Sequence, residues 1–301
     1  MPTRYELQAA RRLERILISR ERQIQKALAD ALAKMRADMG KIYERYAVNG
    51  VLTKAQMTQY NRLATMEKQI LADLNPAIRN NLTAIDRLRP QQYQASFFNY
   101  AWAVDQETRI ALSWGALNEK AVAEALSSEF YHISKIRYGQ DARLAVRSAV
   151  NDGLIRGKSY QQMARDLRGA INTTYNRALV IARTEGGFAQ SAGQMAAYDK
   201  AATQGVEGEI TWIATLDGKT RGDHAAMDGV PRREDGLFHL PGGDRGKFPR
   251  DEMLSAANRI NCRCDTIFEV SGYEPQLRRT REDGLIPNQT YADWILDRRT
   301  F

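Results

Sequence analysis

The residues best suited to chemistry lie close together in the C-terminal half of this chain. They fall between residues 212 and 264: Trp212, Asp217, Arg221, His224, Asp228, Gly229 and the run Asn261-Cys262-Arg263-Cys264. This stretch holds both cysteines of the 301-residue chain and two of its three histidines. Thiolates and imidazoles bind metal ions, and imidazoles act as general bases, so a site is expected here.

One interpretation of these residues is a structural zinc site. Cys262 and Cys264 as thiolates, together with His224, supply three ligands of a tetrahedral ion. The fourth would come from one of three residues: Asp217, Asp228 or His239. Alternate residues of a strand face the same side, so both sulfurs reach one ion if this run is extended. Structural zinc sites more often use a Cys-x2-Cys spacing, so the spacing alone does not decide.

Two other interpretations use the same side chains. In the first, the cysteines are small buried hydrophobic residues, and His224 and Arg221 hydrogen-bond to Asp217 or to backbone carbonyls. In the second, His224 is a general base oriented by Asp217, and Arg221 holds an anionic group, as in a nuclease or other phosphodiesterase. No second base or nucleophile stands at a diagnostic spacing. We therefore expect no catalytic residues and a protein that is not an enzyme.

A further motif, Arg183-Thr184-Glu185, lies in a long helical pattern. Residues two apart on a helix point to different faces, so Arg183 and Glu185 do not pair simply with each other. We expect them to anchor neighbouring elements as structural ion pairs.

The N-terminal half predicts a series of amphipathic helices. Apolar residues recur mostly every three, four or seven positions over residues 7–46, and Gly50 marks the expected end of this helix. Thr53 and Gln56 then form a capping-box pattern that begins the next helix. The positions before Pro76 and Pro90 predict helix boundaries, because the residue before proline is pushed out of helical geometry.

The same reasoning continues to residue 202. Residues 90–108 are rich in aromatic side chains, which we assign to a helix-bundle core rather than to a protein-docking face. Residues 141–155 are helical in pattern, Ser159 and Gln162 form a second capping box, and residues 172–202 read as a long helix.

Beyond Gly205 the pattern changes from helix to strand and loop. Residues 209–214 and 260–270 are rich in β-branched and aromatic positions and are predicted to pair with each other. Three prolines and seven glycines lie in the connection between them, which predicts an irregular loop held by specific contacts. The predicted fold class is mainly α with a small α+β C-terminal domain, in which a helical N-terminal region and a long helix lead into a short antiparallel β element with a loop-rich connection.

Composition limits the partners and the compartment. Lys and Arg number 44 against 36 Asp and Glu, a formal net charge of +8, which favours a polyanion such as nucleic acid. A basic cluster lies near the C-terminus: Arg278, Arg279 and Arg281. It is a candidate DNA contact, but the segment that carries it could equally grip a protein partner or fold back as a last helix of the domain. No run of residues is apolar enough for a membrane span and the first residues lack a secretory core, so synthesis in the cytosol is expected.

The motifs taken together resemble those of one known family. The motifs are Arg183-Thr-Glu185, Trp212, Asp217-x-x-Thr220-Arg221-x-x-His224, Asp228-Gly229, Phe238, Pro249 and Asn261-Cys-Arg-Cys264. Their order and spacing resemble those of the tailed-phage minor head (head morphogenesis) family. These are the proteins similar to protein F of phage Mu and to the portal-associated minor head protein of the Bacillus phage SPP1. The resemblance implies three regions: residues 1–130, a helical region for portal or shell docking or self-association; residues 131–270, the Mu F-like domain; and residues 271–301, a basic and apolar tail.

This resemblance also implies a function and a location. Such a protein is a minor capsid component that associates with the portal inside the phage head, with the major capsid or scaffolding protein as further partners. It contacts packaged double-stranded DNA without sequence preference and aids assembly, packaging or DNA ejection. The expected location is the virion interior, after assembly in the host cytoplasm. No cofactor is implied beyond the structural zinc considered above. The nuclease centred on Asp217, Arg221 and His224 is the alternative.

Overall fold

Helices make up most of the described chain. The computed structural model describes residues 2–271, 277–279, 285–287, 289–291 and 293. Its α-helices are α1 Arg4–Tyr46, α2 Lys54–Thr58, α3 Arg62–Thr108, α4 Glu119–Ala125, α5 Glu129–Ile155, α6 Tyr160–Thr203, α7 Gly222–Ala226 and α8 Ala256–Arg259. Its strands are β1 Gly208–Ile213, β2 Phe238–His239, β3 Arg245–Gly246, β4 Asp265–Val270, β5 Leu277–Arg279 and β6 Leu285–Pro287. The predicted fold class, mainly α with a small α+β C-terminal part, is confirmed.

Local sequence signals place several helix ends. The helix α1 ends at Tyr46 rather than at Gly50, which lies in the following turn with a φ of 75°. Thr53 caps α2 as predicted: its side chain accepts a hydrogen bond from the Gln56 N–H, and the Gln56 side chain accepts one from the Thr53 N–H. The second predicted box also forms at the start of α6, where the Ser159 N–H donates to the Gln162 side chain at 2.9 Å and the Gln162 N–H donates to the Ser159 hydroxyl at 3.4 Å.

The two prolines do not end helices, and this prediction was wrong. The helix α3 runs without interruption through Pro76 and Pro90. A proline inside a helix leaves the carbonyl four residues earlier without its donor, here that of Ala72 and that of Asp86. Both prolines and both of these residues lie at exposed positions, where water can replace the missing donor. The cost of each proline is therefore small enough for the packing of α3 to outweigh it.

The aromatic residues of α3 form core, as predicted. Tyr93, Phe97 and Tyr100 are buried, whereas Phe98 is 46% exposed. None of the described helices is both long enough and apolar enough to cross a membrane.

The sheet that follows α6 is small and antiparallel. Strand β1 pairs with β4 over six residues, from Gly208 opposite Val270 to Ile213 opposite Asp265. The predicted pairing is confirmed, but the second strand begins at Asp265 and not at residue 260. Residues 260–264 instead form a turn at Ile260 and Asn261, where Asn261 has a φ of 54°, followed by irregular chain. The cysteines therefore precede the strand.

The chain forms two compact units. Unit 1 contains Met1–Ile18, Arg87–Ser128 and Arg183–Phe301, and unit 2 contains Ser19–Asp86 and Glu129–Ala182. The division falls inside α1, α3 and α6, so each of these helices contributes residues to both units. The boundaries at residues 130 and 270 that the family resemblance implied remain a prediction.

Unit 1 joins distant parts of the sequence in one core. One buried cluster contains residues from α1, α3, α6 and β1, namely Leu13, Phe97, Phe188 and Trp212. A buried carboxylate strengthens the connection: Glu6 accepts hydrogen bonds from the Tyr198 hydroxyl at 2.8 Å and from the Phe268 N–H at 3.2 Å. The first turn of α1 is thus tied to β4, 262 residues later.

Candidate functional site

The pairing of β1 with β4 brings the predicted site residues together. Ile213, the last residue of β1, lies opposite Asp265, the first residue of β4. The chain that leaves β1 and the chain that enters β4 therefore meet at one end of the ladder. His224 follows on α7, and Cys262 and Cys264 lie in the segment between α8 and β4.

His224 and the two cysteines form a buried group. The His224 Nδ1 lies 3.3 Å from the Cys264 Sγ and 3.4 Å from the Cys262 Sγ. All three potential ligand atoms lie within 4.8 Å of one another. The three residues are at most 5% exposed, and both thiols are free. Trp212, which is fully buried, contacts the His224 ring edge-on with 5.5 Å between ring centroids.

Asn258 orients the histidine. The Asn258 side-chain amide donates to the Asp244 Oδ2 at 2.9 Å, so its carbonyl oxygen is the atom that faces the His224 Nε2, at 3.2 Å. A carbonyl oxygen only accepts, so the Nε2 carries the proton. In the neutral ring the Nδ1 lone pair then points to the two sulfurs. Asp244 is itself fixed by the Ser255 hydroxyl and N–H.

The two thiols influence each other's ionisation. Hydrogen bonding from Cys264 and the charge of the nearby Arg250 guanidinium hold the pKa of Cys262 well below its usual value despite burial. The same contact with Cys262, together with burial, raises the pKa of Cys264 well above its usual value. The two thiols are therefore unequal, because Cys262 loses its proton more readily than Cys264.

The residues considered as a fourth ligand lie elsewhere. Asp217 pairs with both terminal nitrogens of the Arg263 guanidinium, one of them at 2.9 Å, and this contact lowers the pKa of Asp217. Asp228 accepts a hydrogen bond from the Ala214 N–H at 2.7 Å. The third residue, His239, contacts the carboxylate of Asp235 at 2.7 Å. Among the described residues, none of these three belongs to the group around the cysteines.

The residues of the catalytic alternative are each held by other protein groups. The Arg221 guanidinium donates to the Ile260 carbonyl at 2.7 Å. Asp217 is held by Arg263, and His224 is 1% exposed with both ring nitrogens directed at protein groups. A nuclease needs its base, orienting carboxylate and anion-binding cation around a shared accessible position.

Glu185, the last residue of the Arg183-Thr184-Glu185 motif, anchors neighbouring elements. Its carboxylate lies 3.2 Å from the Arg89 guanidinium of α3 and 3.2 Å from the Arg259 guanidinium of α8. Next to it, the Thr184 hydroxyl accepts a hydrogen bond from the Asn261 N–H at 3.0 Å. The motif on α6 thus fixes both α8 and the segment that carries the cysteines.

Arg250 is a site residue that sequence reasoning did not single out. It is 5% exposed, and its guanidinium donates to the Ser191 hydroxyl at 2.6 Å and to the Cys262 carbonyl at 3.3 Å. Its side chain crosses α6 at Gly187, where an added Cβ would lie 2.7 Å from the Arg250 Cδ. The Gly186-Gly187 pair was the available signal, because adjacent glycines in a helix often mark a close approach.

The proposed basic tail is only partly described. Arg278 and Arg279 lie in β5, where the backbone is described and the side chains are not. Arg281 lies outside the described residues.

Comparison with known proteins finds related sequences. Residues 145–267, which contain every member of the His224 group, match the model of the family described as Phage Mu protein F like protein. The minor head protein GP7 of Bacillus phage SPP1 is 29% identical over 290 residues, covering 94% of each chain.

A second relative is longer than this chain. The NAD(+)--arginine ADP-ribosyltransferase EFV of Enterococcus faecalis is 32% identical over 214 residues, which are 69% of this chain and 43% of that protein. No solved structure is significantly similar. The match to the family model and the nearly full-length similarity to a minor head protein support a phage minor head family of Mu protein F-like proteins.

Proposed function

We propose that this protein is a non-enzymatic minor capsid protein that associates with the portal inside a phage head and contacts packaged DNA. The observation that carries the proposal is the similarity to a minor head protein along 94% of both chains. Assembly in the host cytoplasm, a final position in the virion interior, and a role in packaging or ejection form part of the proposal. The major capsid or scaffolding protein is a further proposed partner.

Contact with DNA is supported by the distribution of charge between the two units. Unit 2 contains 20 Lys and Arg against 11 Asp and Glu, a formal charge of +9. Unit 1 contains 24 against 25, a formal charge of −1. The whole positive charge of the chain therefore resides in the helical unit 2. Lys and Arg that neutralise phosphates release counterions, which gives binding that is independent of sequence and sensitive to salt.

One face of α6 has the composition expected for phosphate contact. Exposed residues recur every three or four positions along it and include no acidic side chain: Gln161, Arg165, Arg168, Asn172 and Asn176. Arginine, glutamine and asparagine are among the side chains that donate to phosphate oxygens. We therefore place the DNA contact on this face, in addition to the C-terminal cluster that the sequence suggested.

A protein partner is supported by exposed apolar side chains on one side of α5, where the exposed Gln140 and Arg147 lie between them. Ile133, Ile136, Leu144 and Ile155 are 42% to 66% exposed. Their spacings of three, eight and eleven residues place them on one side of a helix. Exposed apolar side chains of this kind lose contact with water when a partner packs on them, and a portal subunit is the partner that fits the proposal.

The absence of enzymatic activity also belongs to the proposal. Its support is that Asp217, Arg221 and His224 each contact separate protein groups, as described above. More than half of the ADP-ribosyltransferase has no counterpart in this chain, so the activity in its name is not carried over.

The first test is co-expression with the portal protein of the same phage. A stable complex is expected, and Ile136→Glu with Leu144→Glu should disrupt it. The matched control is Ile110→Glu with Met253→Glu, since both residues are 55% exposed in unit 1. Absence of any complex, or equal loss with both pairs of substitutions, would contradict the proposed docking surface.

The second test measures binding to arbitrary double-stranded DNA as a function of salt. The substitutions Arg165→Gln and Arg168→Gln remove two phosphate contacts. The negative slope of log K against log salt should therefore become less steep by about 1.8. Arg11→Gln with Arg15→Gln, two exposed arginines of α1 in unit 1, is the control and should leave the slope unchanged. Hydrolysis of the DNA that is lost in His224→Gln would instead support a nuclease.

A further inference from the structure

We propose that His224, Cys262 and Cys264 bind a zinc ion that fixes the loop-rich part of unit 1. The ligand class is a divalent cation that prefers thiolate and imidazole donors, and zinc is the commonest ion for such a set. The proposal does not depend on portal or DNA binding.

The distances fit a shared ion. In tetrahedral zinc with Zn–S near 2.3 Å and Zn–N near 2.05 Å, a sulfur and a nitrogen lie roughly 3.6 Å apart. The observed separations from the His224 Nδ1 are 3.4 Å to Cys262 and 3.3 Å to Cys264. A small outward movement of the two sulfurs is enough to admit the ion.

The surroundings of the histidine also fit. Ligating histidines usually donate their second N–H to a carbonyl or carboxylate, which fixes the tautomer and the ring orientation. Here the Asn258 carbonyl accepts from the Nε2, and Asp244 in turn holds the Asn258 amide. The ring is therefore oriented with its free nitrogen towards the sulfurs before any metal arrives.

The site would connect two parts of the chain that regular structure holds weakly. His224 lies 38 and 40 residues before the cysteines. Apart from the short elements β2, β3 and α8, the residues between them are turns and irregular chain. An ion bound to both ends would close this loop, and its binding free energy would add to the free energy of unfolding. The fourth coordination position of the zinc ion would be filled by a ligand other than a histidine, cysteine or carboxylate of the described residues.

A hydrogen-bonded group without metal is the competing explanation. One thiol donating to the Nδ1 and a second thiol packed beside it would satisfy the same three side chains. The two explanations differ in metal content and in the effect of a chelator.

The experiment uses the full-length protein. Elemental analysis after purification with zinc should find about one ion per chain, and cobalt substitution should give the thiolate-to-metal charge-transfer bands of a tetrahedral site. Prolonged chelation should lower the melting temperature of the wild type, and added zinc should restore it. Cys262→Ser, Cys264→Ser and His224→Gln should each lose the bound ion, whereas His239→Gln should keep it because His239 lies outside the group.

Asn258→Leu provides a test that keeps all three ligands. Loss of the residue that orients the histidine should weaken zinc affinity roughly 10- to 100-fold. Wild-type protein that takes up neither zinc nor cobalt, with a melting temperature unchanged by chelator, would overturn the proposal. Uptake that persists in Cys262→Ser with Cys264→Ser, or that is lost in His239→Gln, would overturn it as well.

Discussion

The buried ion network around Glu185 yields the sharpest prediction for stability. Glu185 is 1% exposed and lies between Arg259, which is 2% exposed, and Arg89, which is 9% exposed. Arg259 also contacts Glu252 at 3.2 Å and lies over the ring of Phe188. The change to make is Glu185→Ala, which removes the shared carboxylate and leaves both arginines in place.

The loss of stability in Glu185→Ala depends on the two arginine guanidinium groups that remain buried. Burial raises the pKa of Glu185 even though Arg89 and Arg259 act in the opposite direction, so the cost of desolvation exceeds the attraction. Replacement of a whole buried ion network by apolar side chains of the same shape is often neutral. Removing one member is different, because it leaves uncompensated buried charge, at a cost of about 3–5 kcal/mol. At roughly 2–4 °C for each kcal/mol, the melting temperature should fall by about 10 °C.

Thermal unfolding followed by circular dichroism would measure this change. The control is Glu124→Ala, since Glu124 pairs with Lys120 on an exposed surface at 3.9 Å and should cost less than about 1 kcal/mol. Glu185→Ala combined with Arg259→Ala should cost less than the sum of the two single changes, because the first removes the partner of the second. If Glu185→Ala lowers the melting temperature no more than Glu124→Ala does, the reasoning is refuted.

Two further predictions concern close packing and pH. Gly193→Ala should destabilise the protein by about 1–3 kcal/mol, because the new Cβ would lie 2.3 Å from the Tyr93 carbonyl oxygen. Gly169→Ala, in the same helix, is the control. Its new Cβ would have no neighbouring atom within 4 Å, so this change should stabilise the protein by about 0.5–1 kcal/mol. Equal effects of the two substitutions in urea unfolding would contradict the packing geometry. Burial raises the pKa of Glu6 from 4.5 to about 7 and that of Glu107 to about 8. Both carboxyls bind protons more tightly when folded, so their contribution to stability is complete below pH 4.5 and is lost as the pH rises through 7 and 8. Urea unfolding across this range should show the decline, and Glu6→Gln should reduce it; an unchanged slope in that variant would exclude Glu6 as its source.

Local signals in the sequence predicted local structure well. The capping boxes at Thr53 and Ser159 form because each needs only side chains three residues apart. The pairing of residues 209–214 with the strand near residue 270 was also predictable, since each segment carries its own strand composition. The prediction that helices end at Pro76 and Pro90 was wrong. The free-energy cost of a proline in a helix depends on whether the carbonyl that loses its donor is exposed to water, and the local sequence does not reveal this.

The candidate site was predictable only in part. Side-chain chemistry was enough to group His224 with Cys262 and Cys264, although the argument from strand alternation was wrong because both cysteines precede β4. Asn258 and Asp244, which orient the histidine, were missed since no spacing links them to it. Arg263 was noted within its motif, but its pairing with Asp217 depends on a contact across 46 residues.

The tie between Glu6 and Phe268 has a consequence for the order of folding. During synthesis the first turn of α1 emerges well before its partners on α6 and β4. Until those partners are made, the core of unit 1 is incomplete. Its early members therefore remain partly exposed to water, among them Glu6, Leu13 and the aromatic residues of α3. A fragment limited to residues 145–267 would lack these N-terminal contributions to the same core, so we expect that it exposes apolar surface and aggregates when produced alone.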